Sequence, residues 1–155
     1  GNFMVGAAYG TGDGLTGSYY NDPQQDNHFQ GTPTVQIDPV INWNWNGGSP
    51  ATGIGGNLWS AEWTGKIQAL GTTTYTFGVN IDDGARVWIN GQLVIDSWVY
   101  QAPTWHYGTI DLEAGKQYDI KIDFFQGYGG STLQFYWGAK GLPWQVVPKS
   151  QLYSK

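Results

Sequence analysis

The stretch QYDIKIDFF, residues 117–125, constrains the fold more tightly than any other part of the chain. Tyr118, Ile120, Ile122 and Phe124 alternate with Gln117, Asp119, Lys121 and Asp123, and a period of two marks a strand with one buried face. The same alternation runs through TYTFGVNI (74–81) on Tyr75, Phe77, Val79 and Ile81, and through TLQFYW (132–137) on Leu133, Phe135 and Trp137. Between ARVWI and QLVID stands Asn90-Gly91, the pair best suited to a type I′ turn because both central residues need positive φ. Further turns are marked at Gly47-Gly48-Ser49-Pro50, at Glu113-Ala114-Gly115-Lys116 and from Gly127 to Gly130. No stretch reads as a helix. Many short strands at this spacing predict an all-β fold, an antiparallel sandwich or barrel.

Composition agrees. Among 155 residues there are 24 Gly, 9 Trp, 10 Tyr and 6 Phe, and only 12% are charged, against about 25% in an ordinary soluble domain. The formal net charge is −5 with 7 Lys plus Arg, so the basic surface that grips nucleic acid or anionic membrane is missing. With no cysteine, disulfides, thiolate metal sites and cysteine nucleophiles are excluded. No apolar run approaches the roughly 18 residues of a membrane span, and GNFMVGAAYG (1–10) lacks the basic start and apolar stretch of a signal peptide. Residues 1–13 read as a linker or a peripheral first strand, and 14–155 as one β-sandwich domain, a module of a larger protein.

Asp82 and Asp83 pose a question of geometry. Neighbours in a regular strand point to opposite faces, so adjacent carboxylates should not cooperate. One answer is that Asp82-Asp83-Gly84 is a turn, which Asp and Gly both favour. The other is a hard-cation site, with the backbone bent so that both carboxylates reach one ion. Calcium takes 6–8 oxygen ligands and prefers carboxylates and carbonyls, and the Gly127–Gly130 loop offers further oxygens.

Several ordered segments carry a resemblance. They are GLTGSYY (14–20), NWNGGSP (44–50), WSAEWTGKI (59–67), TYTFGVNIDDGARVWINGQLVIDSW (74–98), IDLEAGKQYDIKIDFFQGYGGSTLQFYW (110–137) and VPKSQLY (147–153). Together they resemble the protective-antigen (PA-14) family, a jelly-roll-like β-sandwich module of bacterial toxins, glycosidases and cell-surface adhesins. In its sugar-binding members the Asp-Asp pair is joined by a cis peptide and holds calcium. The resemblance implies Ca2+ ligands at Asp82 and Asp83, at the Gln126 side chain, and at the backbone carbonyls of Tyr128 and Gly130. Flocculin-type members carry Asn at the amide position. Gln126 departs from that pattern, offering the same oxygen on a stem one methylene longer. Two sugar hydroxyls complete the ion's shell in the adhesin members.

Flat aromatic rings match the apolar C–H faces of sugars at little entropic cost. DSWVYQAPTWHYG (96–108) and the glycine loop offer Trp98, Tyr100, Trp105 and Tyr128 as platforms beside the proposed ion. Trp43, Trp59, Trp63, Trp88 and Trp137 lie in strand-like runs and are expected in the core or on a sheet face. His28 and His106 have no metal-ligand partner at suitable spacing. Glu62 and Glu113 are the only glutamates, and no acid–base pair of glycosidase type stands out. The expected function is therefore a non-enzymatic, calcium-dependent carbohydrate-binding module of an extracellular or cell-surface protein, with a glycan or polysaccharide as partner and a role in adhesion. A structural spacer or protein-interaction domain, or an accessory module of a glycosidase, is the alternative.

Overall fold

A computed structural model describes residues 6–155. Twelve strands run in chain order: β1 (Leu15–Asn21), β2 (Thr34–Asp38), β3 (Asn42–Asn44), β4 (Trp59–Gln68), β5 (Thr73–Asp82), β6 (Gly84–Ile89), β7 (Gln92–Ser97), β8 (Thr104–Leu112), β9 (Gln117–Gln126), β10 (Thr132–Ala139), β11 (Leu142–Val146) and β12 (Leu152–Tyr153), with one 3-10 turn at Lys149–Gln151. Seven strands form one antiparallel sheet in the order β2-β1-β4-β9-β6-β7, with β12 on β4; five form the second, β11-β10-β5-β8, with β3 on β10. The all-β sandwich expectation holds.

The core lies between the sheets. Trp59, Ala61, Trp63 and Ile67 of β4 and Ile120, Ile122 and Phe124 of β9 meet Tyr75, Phe77, Val79, Ile81, Leu133, Phe135 and Trp137 of the opposing layer, all buried. The alternation in QYDIKIDFF therefore selects the face that leaves water, and each fully buried large side chain contributes about 1.5–3 kcal/mol. Within the core the Trp63 indole (2.8 Å) and the Tyr19 hydroxyl (2.5 Å) both donate to the buried Asp38, whereas the Trp59 and Trp137 indole N–H groups are buried without a partner. Asn90 and Gly91 have φ of 53° and 73°, and Ile89 pairs with Gln92 across them, as the type I′ reading predicts.

Residues 1–5 of the expected linker lie outside the described residues, and 6–13 form no strand. They are nevertheless tied down. The Ala8 N–H donates to Leu70, that of Gly12 to Ser150 and that of Gly14 to Leu152, while Asp13 accepts from Ser154. The two terminal stretches thus lie side by side, next to the end of β4 where Ile67 and Lys66 pair with Leu152 and Tyr153.

Two connections position everything that follows. The chain leaves the five-stranded sheet at Asp82 and enters the seven-stranded sheet at Gly84. It makes the reverse crossing from Gln126 to Thr132. Because Asp82 pairs with Thr132 and Gly84 with Phe125, both crossings occur at the same end of the sandwich, against each other.

Candidate functional site

The peptide joining Asp82 to Asp83 is cis. The two carboxyl groups lie within hydrogen-bonding reach of one another, and the Asp82 carboxyl is pushed up to about 7 by burial first, then by that hydrogen bond and the Asp83 charge. Both residues are buried despite sitting at a loop. Asp83 is fixed from three sides. Its Oδ2 accepts from the Gly127 N–H (2.8 Å), its own N–H reaches the Phe125 carbonyl (3.3 Å), and its carbonyl accepts from the Gln101 amide (2.9 Å). Gly84 leaves room for the Phe125 ring: a Cβ there would stand 2.2 Å from it.

The second crossing faces the pair. A Cβ on Gly130 would lie 3.2 Å from Asp82 Oδ2, and one on Gly127 3.4 Å from Asp83 Oδ2. Gln126, at the end of β9, is 1% exposed. Its Nε2 donates to the Gly129 carbonyl at 2.9 Å, while its Oε1 is buried with no hydrogen-bond partner. A buried acceptor left unpaired costs roughly 1–3 kcal/mol and calls for an explanation. A cation bound there would supply one. Among the described residues no three His, Cys, Asp or Glu side chains converge, so an ion here would have two carboxylates and would take its other oxygens from the amide and from backbone carbonyls. Such an all-oxygen set fits calcium rather than a transition metal.

The aromatic residues separate into two groups. Tyr100 and Tyr128 are exposed, at 47% and 60%. The Tyr100 ring stands 2.8 Å from where a Gly127 Cβ would be, beside Asp83, and its hydroxyl donates to Asp26. Trp98 packs on the same Phe125 ring as Tyr100, and Trp105 sits on the other sheet. Trp98 is held in a cluster with Phe29, His28 and Phe125 and carries the Arg86 guanidinium 4.9 Å over its ring; it supports the loop rather than offering an open face. Trp105 lies on β8, opposite Asn80, packed with Tyr107, Tyr136 and Trp144 on the outer face of the five-stranded sheet.

Two contributors gave no signal in the sequence. Gln101 orients the Asp83 carbonyl and is itself held by His106 Nε2 (2.8 Å) and Ser97. The loop from Asp22 to Phe29 closes over Trp98 and Phe125 through His28, which stacks on Phe125 at 4.7 Å and bonds Asp22. On β9, two residues before Phe125, Asp123 opposite Glu62 is pushed up to about 7 by burial and the neighbouring glutamate. A groove of about 590 Å³ lies at the other end of β5, lined by Thr73, Asn90, Asp111, Glu113 and Lys116.

With this geometry in view, the PA14 domain family model matches residues 12–148. The chain belongs to the PA14 domain family. This PA14 chain is 42% identical over 144 residues to anti-sigma-I factor RsgI3 of Acetivibrio thermocellus, matching 93% of its own length and 22% of the relative's. It superposes on a solved anti-sigma factor domain-containing protein with a TM-score of 0.85 at 40% identity, over 94% of this chain and 49% of that one. The chain thus spans under a quarter of the curated relative and about half of the solved one. It also shares the fold of a structure titled PA14 sugar-binding domain from RTX adhesin, with a TM-score of 0.77, 18% identity, and coverage of 96% and 100%. No helix among the described residues is long and apolar enough to cross a membrane.

Proposed function

We propose that this PA14 domain is a calcium-dependent carbohydrate-binding module, without catalytic activity of its own, within a larger protein that displays it outside the cell. The observation that carries the reading is the partnerless, buried Gln126 Oε1, at the start of the loop whose Gly127 N–H bonds Asp83. Asp82, Asp83, Gln126 and the backbone carbonyls of Tyr128 and Gly130 would hold the ion. Calcium would supply a charge for two vicinal sugar hydroxyls, whose O–H groups would donate hydrogen bonds to the carboxylates. Tyr100 and Tyr128 flank the pair with exposed rings for the sugar's C–H face; Trp98 and Gln101 hold that loop in place.

Two names support the reading. The RTX adhesin domain of the same fold is titled sugar-binding, and the relative of 42% identity is named an anti-sigma-I factor. In such a protein a glycan-binding domain suits an input that reports an external polysaccharide to a regulator. A single site of this size binds weakly, and useful affinity comes from repeated sites on a polymer.

The test is thermal unfolding with EGTA, with calcium, and with calcium plus a panel of monosaccharides and oligosaccharides. Only a ligand of the native state raises apparent stability. The expected result is a calcium shift lost in Asp83→Ala and a further shift with sugar. A calcium shift with no response to any glycan would leave a structural spacer instead.

A further inference from the structure

We infer that the outer face of the five-stranded sheet is a second carbohydrate-binding surface, one that takes an uncharged polysaccharide chain without a cation. Alternation along β5 and β10 sends Phe77, Val79, Phe135 and Trp137 into the core. Their neighbours therefore face outward in two rows across the strands. One row is Trp105, Asn80, Gln134 and Asn42; the next is Tyr107, Gly78 and Tyr136.

The second row is aromatic and floored by glycine. Trp144 of β11 lies across Gly78 and Gly138: a Cβ on Gly78 would stand 2.5 Å from its ring and one on Gly138 3.1 Å. Trp144 packs with Tyr136 at 5.8 Å and with Trp105 at 6.0 Å, and Trp105 lies nearly parallel to Tyr107 at 11°. Trp144 stays 43% exposed and Tyr107 60%. The first row continues as a chain of amides, with Asn80 Nδ2 donating to Gln134 Oε1 (3.0 Å) and Gln134 Nε2 to Asn42 Oδ1 (3.1 Å).

Chemistry chooses the occupant. A cluster of large exposed rings marks an interaction surface. Neither row contains Lys, Arg, Asp or Glu, so phosphates and acidic polymers find no counter-charge. A protein-binding centre is anchored by side chains seated in desolvated pockets, with Arg enriched beside Trp and Tyr. Here the floor is flat and backbone-like under the rings, and the adjoining groups are amides that can each donate and accept. Rings for C–H faces beside amides for hydroxyls are what a neutral sugar chain requires. The amide row with Trp105 at its end spans three strand spacings, about 14 Å, so it meets a polymer rather than one sugar. This inference does not rest on the calcium reading.

The test is native affinity electrophoresis in EGTA through gels containing hydroxyethyl cellulose, xylan or mannan, with carboxymethyl cellulose as the anionic counterpart. Retardation by at least one neutral polymer is expected, weaker in the anionic one. Tyr107→Ala, at an exposed position, and Trp144→Ala should each weaken it at least tenfold, with the Tyr107→Ala melting curve unchanged. Free migration of the wild-type chain in every neutral gel would overturn the inference, as would equal retardation of both variants. So would a concentration-dependent dimer in sedimentation that Trp144→Ala abolishes, since a second copy would then occupy the face. EGTA-resistant retardation alongside a failed calcium titration would support this surface and remove only the ion site.

Discussion

At Gln126 the amide nitrogen has a partner and the buried oxygen has none, and substitutions there have opposite effects with and without calcium. Gln126→Glu adds a third carboxylate to a site whose affinity follows ligand charge. It is expected to tighten calcium binding about tenfold in calorimetric titration and to lower the melting temperature in EGTA, because like charges would crowd a buried spot. Asp82 gives the pH dependence. Its folded carboxyl is raised from 3.8 to about 7 by burial and by Asp83, and Asp123 is raised to about 7 as well. A group that holds its proton more tightly when folded stabilises the native state below its unfolded value and loses that contribution as pH climbs to the folded one. Urea unfolding in EGTA should therefore show stability falling from about pH 4 to about pH 7 and levelling above it. Asp82→Asn should flatten part of this slope. Calcium must displace the Asp82 proton, so its affinity should rise across the same window.

At the scale of elements, the two crossings matter more than any single strand. Calcium bound between them would slow hydrogen exchange at Asp83 and across 127–131, with little change at the Asn90-Gly91 hairpin on another part of the sheet; uniform protection, or none, would count against the site. The strands were legible because burial in a sandwich reads out as period-two text: β5, β9 and the Asn90-Gly91 turn stand where QYDIKIDFF, TYTFGVNI and the dipeptide predict. The end of β9 was less so, since Asp123 and Phe125 are buried on the face that alternation assigns to water, while Gln126 is a polar residue on the face assigned to the core. Loops covering that edge hide them, and a loop's docking has no local period. For the same reason Gln101 and His28 left no trace, and Trp98 and Trp105 could not be sorted from Tyr100 by position in one aromatic stretch. Which platform each ring joins depends on the sheet it ends against.

For the molecule as a whole, the layers adhere through their facing side chains. Phe135→Ala empties a fully buried position stacked on Phe77 at 5.6 Å and should cost about 3–5 kcal/mol in denaturant unfolding. Binding to a polymer should outrun binding to a monosaccharide by far more than the contacts at either surface suggest, because one chain presents many sites at once. The terminal stretches meet beside the end of β4 at Ile67, while Asp82 and Gln126 stand by its other end, where Trp59 pairs with Gln126. Strand rise puts about 30 Å between these poles. Any polypeptide joined on either side would depart from a single pole, leaving the carboxylate pair facing away from its own tether, like the lamp of a mast turned to open water.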